Sequence, residues 1–125
     1  LMKPRLTERV LDRDGRVTDR IGPEEQSIVM SEKAAGLLSQ MMGNVVREGT
    51  GTAAALSGID VGGKTGTAEV DNATANQAWF IGFAPIDRPR MAVAVTIERT
   101  QGQGGTEAAP VAKRVLETLI GGGGG

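Results

Sequence analysis

Histidine and cysteine are both absent from this chain of 125 residues. Their absence excludes a thiol nucleophile, an imidazole base and nearly every zinc-site pattern. Any chemistry must therefore use Ser, Thr, Lys or carboxylate side chains, and we expect neither a metal nor a cofactor. The lack of Cys does not identify the redox compartment, because proteins without cysteine occur on either side of a membrane.

Aromatic residues are almost as scarce, since the chain has one Trp, two Phe and no Tyr. The core must therefore consist mainly of aliphatic side chains and Ala. The three consecutive residues Trp79, Phe80 and Ile81 are interpreted as core packing, because large side chains of this kind mainly supply buried area.

Neither charge nor apolar sequence is concentrated in one place. Lys and Arg number 14 and Asp and Glu 15, which gives a net charge of -1, and no basic block could neutralise phosphates. This balance argues against nucleic acid as a partner. No apolar run reaches the roughly 18 residues of a membrane span, and no charged-then-apolar leader opens the chain. We therefore expect no membrane contact by this segment.

Both ends of the sequence are interpreted as cut points in a longer protein. The first residue is Leu1, and the chain stops in five glycines, Gly121 to Gly125. A glycine run carries no side chains to pack and behaves as a flexible linker. The predicted organisation is one folded segment over residues 1–120 and a flexible glycine tail over residues 121–125.

The periodicity of the sequence predicts an α+β fold. Alternating residues around Asp14-Gly15 predict a hairpin at the edge of a sheet. Ser31 is a candidate N-cap for a helix that ends near Gly49. Three strands are predicted over residues 61–70, 78–84 and 90–98.

A second helix is predicted over residues 107–120, opened by Thr106. Pro110 is compatible with this helix because it lies in the first turn. The spacing of Val111, Val115 and Leu119 predicts that these three side chains pack on the sheet.

The stretch from Gly58 to Ala68, GIDVGGKTGTA, carries the motif with most chemical content, and it has two incompatible interpretations. The first is the phosphate-binding pattern G-x-x-x-x-G-K-[ST], with Lys64 and Thr65 as its last residues. That site needs a helix beginning at the lysine, because the N–H groups of a helix start hold the phosphate. Two β-branched residues around Gly66 make a poor first helical turn.

The second interpretation takes Lys64, Thr65 and Gly66 as a K-T-G motif on an exposed strand edge beside an acyl-transfer site. A lysine there supplies a positive charge that polarises a neighbouring hydroxyl and attracts a substrate carboxylate. A glycine lets the substrate backbone approach without a Cβ in the way. A third possibility is a small structural piece without catalytic chemistry.

The surrounding sequence resembles the closing third of a class B penicillin-binding protein. The resemblance is carried by four stretches that together leave little of the chain uncovered except the glycine tail: GTG at 49–51, VGGKTGTAE at 61–69, AWFIGFAP at 78–85 and AAPVA at 108–112. It implies an α+β fold, an antiparallel sheet with packed helices, as the C-terminal portion of a serine β-lactamase/penicillin-binding transpeptidase fold. The bias toward Ala, Gly, Val and Arg further resembles the actinobacterial members of the family.

The resemblance also implies roles for the motif residues. Lys64 would lie near the serine of an S-x-N motif and assist proton transfer, so that it counts with Thr67 as a catalytic residue. The hydroxyls of Thr65 and Thr67 would bind the carboxylate of a stem peptide or a β-lactam. The Thr67 N–H would be one oxyanion donor, and Gly66 would provide clearance for substrate.

One departure from the family pattern limits what this chain can do. None of its serines, Ser27, Ser31, Ser39 and Ser57, has Lys three residues on or Asn two residues on. The family places its S-x-x-K and S-x-N motifs upstream, so truncation is the expected reason. The resemblance implies a peptidoglycan D,D-transpeptidase at the extracytoplasmic face of the bacterial plasma membrane. Its implied partners are the peptidoglycan stem peptide, β-lactams and the remaining N-terminal part of the domain, and the segment alone is expected to be inactive.

Overall fold

The computed structural model of the protein describes residues 1–70 and 75–121. The chain divides into two compact units, Leu1–Ala35 and Gly36–Gly125. Of the predicted glycine tail, Gly121 is the last residue of a helix, and residues 122–125 lie outside the described part of the chain.

The first unit contains the predicted hairpin. Strand β1 (Arg9–Leu11) pairs antiparallel with β2 (Val17–Arg20). Gly15 turns the chain with a φ of 80°, a left-handed conformation that favours glycine. The Asp12 carboxylate accepts a hydrogen bond from the Asp14 N–H at 2.9 Å, which closes the turn as an Asx motif. The hairpin is confirmed, but it forms a two-stranded sheet of its own rather than an edge of the larger sheet.

Helix α1 (Glu32–Arg47) begins where the capping signal predicted. The Ser31 hydroxyl accepts a hydrogen bond from the Ala34 N–H at 3.2 Å, as an N-cap residue does. Within this helix only Gly43 and Val46 are buried. Large apolar side chains of its first three turns remain exposed: Leu37, Leu38 and Met41.

The main sheet has three antiparallel strands in the order β3-β4-β5. They are β3 (Gly62–Val70), β4 (Ala75–Ala84) and β5 (Met91–Thr100), close to the predicted bounds. Strand β3 is therefore an edge strand of this sheet, as the K-T-G interpretation requires.

Strand β4 buries one face and exposes the other, because successive side chains of a strand point to opposite faces. Phe80 is fully buried, whereas Trp79 and Ile81 are 38% and 48% exposed. The predicted core role is right for Phe80 and wrong for its two neighbours.

Helix α2 (Ala109–Gly121) continues directly from a π-helical turn at Gly104–Ala108 and packs on the buried face of the sheet. The fully buried side chains of α2 and of the turn before it follow a helical stripe of mostly small residues: Ala108, Ala109, Ala112 and Leu116. The prediction for Val115 and Leu119 is wrong, because they are 38% and 46% exposed. Alanines at the contact let the helix backbone approach the strands, and the stripe of larger residues faces away from them.

Replacing Leu116 by Ala is expected to lower the free energy of unfolding by about 2 to 5 kcal/mol, since it removes a fully buried leucine from the contact between α2 and the sheet. The matched control is Leu119→Ala on the exposed face of the same helix, expected to change stability by about 0.5 kcal/mol or less. Urea unfolding of the 125-residue chain measures both. Equal losses for the two variants would mean that the buried face of α2 is misassigned.

Candidate active site

The motif residues Lys64 to Thr67 lie in the middle of edge strand β3, where every residue pairs with β4. Extended backbone at these positions excludes the helix start that a phosphate loop needs. The nucleotide-binding interpretation is therefore wrong. The two glycines before the lysine have another function, because a Cβ on Gly62 would lie 2.7 Å from the Phe83 ring and one on Gly63 would overlap the Phe80 ring.

The strand alternation divides the motif between the two faces of the sheet. Lys64 lies opposite Ile81 in the register, on the more exposed face. Thr65 lies opposite Phe80, so its side chain is on the face that α2 covers, and Thr67 follows two residues later on the same face. The Lys64 ammonium donates a hydrogen bond to the Thr65 carbonyl oxygen at 2.6 Å, which holds the charge along the strand.

A cavity of about 570 Å³ lies beside Thr65 and Thr67. It is bounded by strand β3, by the loop after α1 and by the turn before α2. The lining residues consist of five threonines, four glycines, Ala53 and Gln103: Thr50, Thr52, Thr65, Thr67, Thr106, Gly49, Gly66, Gly104 and Gly105. Among them are several hydroxyl donors and no acidic side chain, so the cavity suits an anionic group such as a carboxylate.

The turn at Gly104 closes one side of the cavity. Gly104 is buried, and a Cβ there would overlap the Trp79 carbonyl oxygen and lie 2.6 Å from the Gly66 carbonyl oxygen. Its N–H donates a hydrogen bond to the Thr67 hydroxyl at 3.5 Å. The helical segment therefore begins at the cavity, where the partial positive charge of a helix start favours an anion.

Thr50 is a site residue that could not be identified from the sequence. Its hydroxyl lies 2.6 Å from the Thr65 hydroxyl and forms a hydrogen bond with it. The Gly- and Thr-rich composition around Thr50 is typical of a loop that approaches another segment closely. The partner could not be read from the sequence, since the two threonines are 15 positions apart. The roles of Lys64, Thr65, Gly66 and Thr67 toward a substrate remain predictions.

Within residues 1–70 and 75–121, no group of three or more carboxylates is placed to hold a metal ion. No helix of the described chain has the length and apolar character needed to cross a membrane.

K-T-G thus lies on the edge of an antiparallel sheet, beside a hydroxyl-lined cavity, and this arrangement differs from that of a phosphate site. Residues 1–117 match the penicillin binding protein transpeptidase domain, and the chain belongs to that family. The family expected from the sequence is thereby confirmed.

Curated relatives include actinobacterial and neisserial proteins. The chain is 31% identical over 126 residues to peptidoglycan D,D-transpeptidase PbpA of Mycolicibacterium smegmatis, covering 95% of this chain and 26% of that protein. It is 38% identical over 106 residues to the probable peptidoglycan D,D-transpeptidase PenA of Neisseria flavescens, covering 77% of this chain and 26% of that protein. The chain thus spans about a quarter of the length of these relatives.

Solved structures give the same result for the fold. Penicillin-binding protein A of M. tuberculosis, as its ceftriaxone acyl-enzyme, aligns with a TM-score of 0.87 at 30% identity, covering 95% of this chain and 28% of that one. The D,D-transpeptidase domain of a peptidoglycan glycosyltransferase from Eggerthella lenta aligns with a TM-score of 0.80 at 41% identity, covering 94% and 28%. The expected α+β transpeptidase fold is confirmed.

Proposed function

We propose that this chain is part of a peptidoglycan D,D-transpeptidase and forms one wall of its serine acyl-transfer site. The observation that carries the proposal is the K-T-G edge strand beside a cavity lined by threonine hydroxyls, in a chain of this family. In such a reaction a serine oxygen bonds to a peptide carbonyl carbon and the leaving amine departs with a proton. A second amine then attacks the ester, forms the cross-link and regenerates the serine.

The motif residues take separate parts in this reaction. The Lys64 ammonium is exposed and lies along the strand edge, where it polarises the hydroxyl that relays the proton. The hydroxyls of Thr65 and Thr67 border the cavity and bind the carboxylate of the stem peptide or of a β-lactam. The N–H of Thr67 serves as an oxyanion donor, and Gly66 gives the substrate backbone room.

The nucleophile comes from outside these 125 residues. No serine of this chain has the spacing of S-x-x-K or S-x-N, and the chain spans about a quarter of its relatives. Exposed apolar side chains on α1 and β4, among them Met41 at 65% and Ile81 at 48%, supply surface that a serine-bearing part of the domain can cover.

Two further features of the proposal concern ligand and location. Structures of penicillin-binding protein A of M. tuberculosis show acyl-enzyme complexes with ceftriaxone and imipenem. We infer that β-lactams are ligands of the complete site here as well. Peptidoglycan lies outside the plasma membrane, so the site works on the extracytoplasmic face.

Replacing Thr65 and Thr67 together by Val is the test of the carboxylate role. The setting is a chimeric domain, defined as the transpeptidase domain of M. tuberculosis penicillin-binding protein A with this chain in place of the segment it matches. Acylation by a fluorescent penicillin is expected to slow at least about tenfold, because the loss of even one hydrogen bond to a charged group costs about 1.5 to 3 kcal/mol. Valine retains a shape that strands accept.

The control is Thr96→Val in β5, a strand threonine on the opposite, exposed face that bonds the Gln77 side chain instead. It is expected to acylate at the rate of the unchanged chimera. If Thr65→Val with Thr67→Val acylates as fast as this control while unfolding at the same urea concentration, the proposed carboxylate site is refuted.

A further inference from the structure

We propose that Thr50 is a positioning residue that aims the Thr65 hydroxyl at the substrate carboxylate. The inference rests on the proposed function of Thr65. The observation behind it is the hydrogen bond of 2.6 Å between the two hydroxyl oxygens. Both residues line the same cavity.

The direction of this hydrogen bond follows from counting protons. Each hydroxyl has one proton to donate and two lone pairs that accept. A carboxylate only accepts, so Thr65 must donate its proton to the bound carboxylate. The bond between the threonines must then run from Thr50 to Thr65 in the bound state. Thr50 thereby fixes the side-chain rotamer of Thr65, and a donated hydrogen bond makes the Thr65 hydroxyl a stronger donor in turn.

Thr50 is suited to this task because its own backbone is held from two sides. The Gly51 N–H donates a hydrogen bond to the Val45 carbonyl oxygen at 2.9 Å, which ties the loop to the last turn of α1. On the other side the turn before α2 touches the loop, since a Cβ on Gly105 would overlap the Thr50 carbonyl oxygen. A hydroxyl mounted on such a fixed loop can hold a partner at a defined angle.

Thr50 and Thr65 have different parts in this proposal. Thr65 lies on the K-T-G strand itself, whereas Thr50 lies on the loop after α1 and its hydroxyl bonds the Thr65 hydroxyl. A loss at Thr50 should therefore appear only when both the carboxylate and the Thr65 hydroxyl are present.

The experiment measures acylation of the chimeric domain by a penicillin and by its methyl ester. Thr50→Val, which keeps the branched shape and removes the hydroxyl, is expected to slow acylation by the free acid about threefold to tenfold, the range for one hydrogen bond. Acylation by the uncharged ester should change by about twofold or less. Thr50→Ser should stay within about twofold of the unchanged domain, and Thr96→Val is the control.

A double-mutant cycle of acylation rates distinguishes a positioning role from a purely structural one. Thr50→Val combined with Thr65→Val should be no slower than Thr65→Val alone, because Thr50 acts through that hydroxyl. Additive losses, or an equal loss for acid and ester, would overturn the inference. Failure of the unchanged chimera to acylate at all, although folded, would instead overturn the proposed function on which the inference rests.

A measurement on the 125-residue chain itself covers the case in which a chimeric variant does not fold. Three-bond couplings of the Thr65 side chain report its χ1 rotamer by NMR. One rotamer is expected in the unchanged chain and in Thr50→Ser, and averaging over several rotamers in Thr50→Val. An unchanged Thr65 rotamer in Thr50→Val would overturn the positioning role.

Discussion

The 125-residue chain alone is expected to form no covalent adduct with a β-lactam. Acylation needs a hydroxyl activated by a neighbouring base, and no serine here has the lysine three residues on that supplies one. The structure also leaves Lys64 hydrogen-bonded to a backbone carbonyl of its own strand rather than to any serine. Because nucleophile and base are missing together, the expected loss of labelling is complete rather than partial.

Incubation with a fluorescent penicillin, followed by a denaturing gel and intact mass, measures this directly. The transpeptidase domain of M. tuberculosis penicillin-binding protein A serves as the positive control under the same conditions. A stoichiometric adduct on the isolated chain would show that one of its own residues is the nucleophile. That result would contradict the division of the site between this chain and a serine-bearing part.

Replacing Gly104 by Ala is expected to have the second largest effect. A Cβ there would overlap the Trp79 carbonyl oxygen and lie 2.6 Å from that of Gly66, and backbone atoms cannot swing aside as a side chain can. The usual gain from Gly→Ala, about 0.4 to 1 kcal/mol, is smaller than the cost of such overpacking, about 1 to 3 kcal/mol. A net loss of stability is therefore expected.

The same substitution should also reduce acylation of the chimeric domain. Moving the turn breaks the hydrogen bond from the Gly104 N–H to the Thr67 hydroxyl and shifts the cavity wall. A displacement of about 1 Å in a site of this kind can cost about a hundredfold in rate. The matched control is Gly36→Ala in α1, where a Cβ would meet no atom within 4 Å, and which is expected to stabilise the helix by about 0.5 to 1 kcal/mol. Equal stability and rate for the two variants would contradict the packing described for the turn.

The sequence predicted those parts of the fold that local patterns determine. Capping at Ser31, the turn at Gly15 and the strand through Lys64 all depend on neighbours a few residues away, and the structure contains each of them. Residues 64–67 were also correctly predicted to be extended rather than helical, because β-branched residues around a glycine disfavour a helix start whatever the rest of the chain does.

Contacts between distant segments account for what the sequence did not predict. The buried stripe of α2 is made largely of alanines, which apolar periodicity ranks below valine and leucine, so Val115 and Leu119 were assigned to the wrong face. The pair Gly62-Gly63 resembled a phosphate loop because its real neighbours, the rings of Phe83 and Phe80, come from another strand.

The bond between Thr50 and Thr65 was equally beyond the sequence. It depends on the contact between the loop after α1 and strand β3, and neither segment has a sequence pattern that predicts this contact. The Gly- and Thr-rich composition of the loop indicates only that it approaches another part of the molecule closely.

The most direct test of the central claim is the intact mass of the chimeric domain after incubation with a β-lactam, with peptide mapping of the adduct. One adduct per chimera is expected, on a serine outside these 125 residues. That result would mean that the K-T-G strand of this chain functions in an active site whose nucleophile lies outside the chain. A chimera that is folded by circular dichroism and cooperative urea unfolding yet forms no adduct, or an adduct mapped to a residue of this chain, would contradict it.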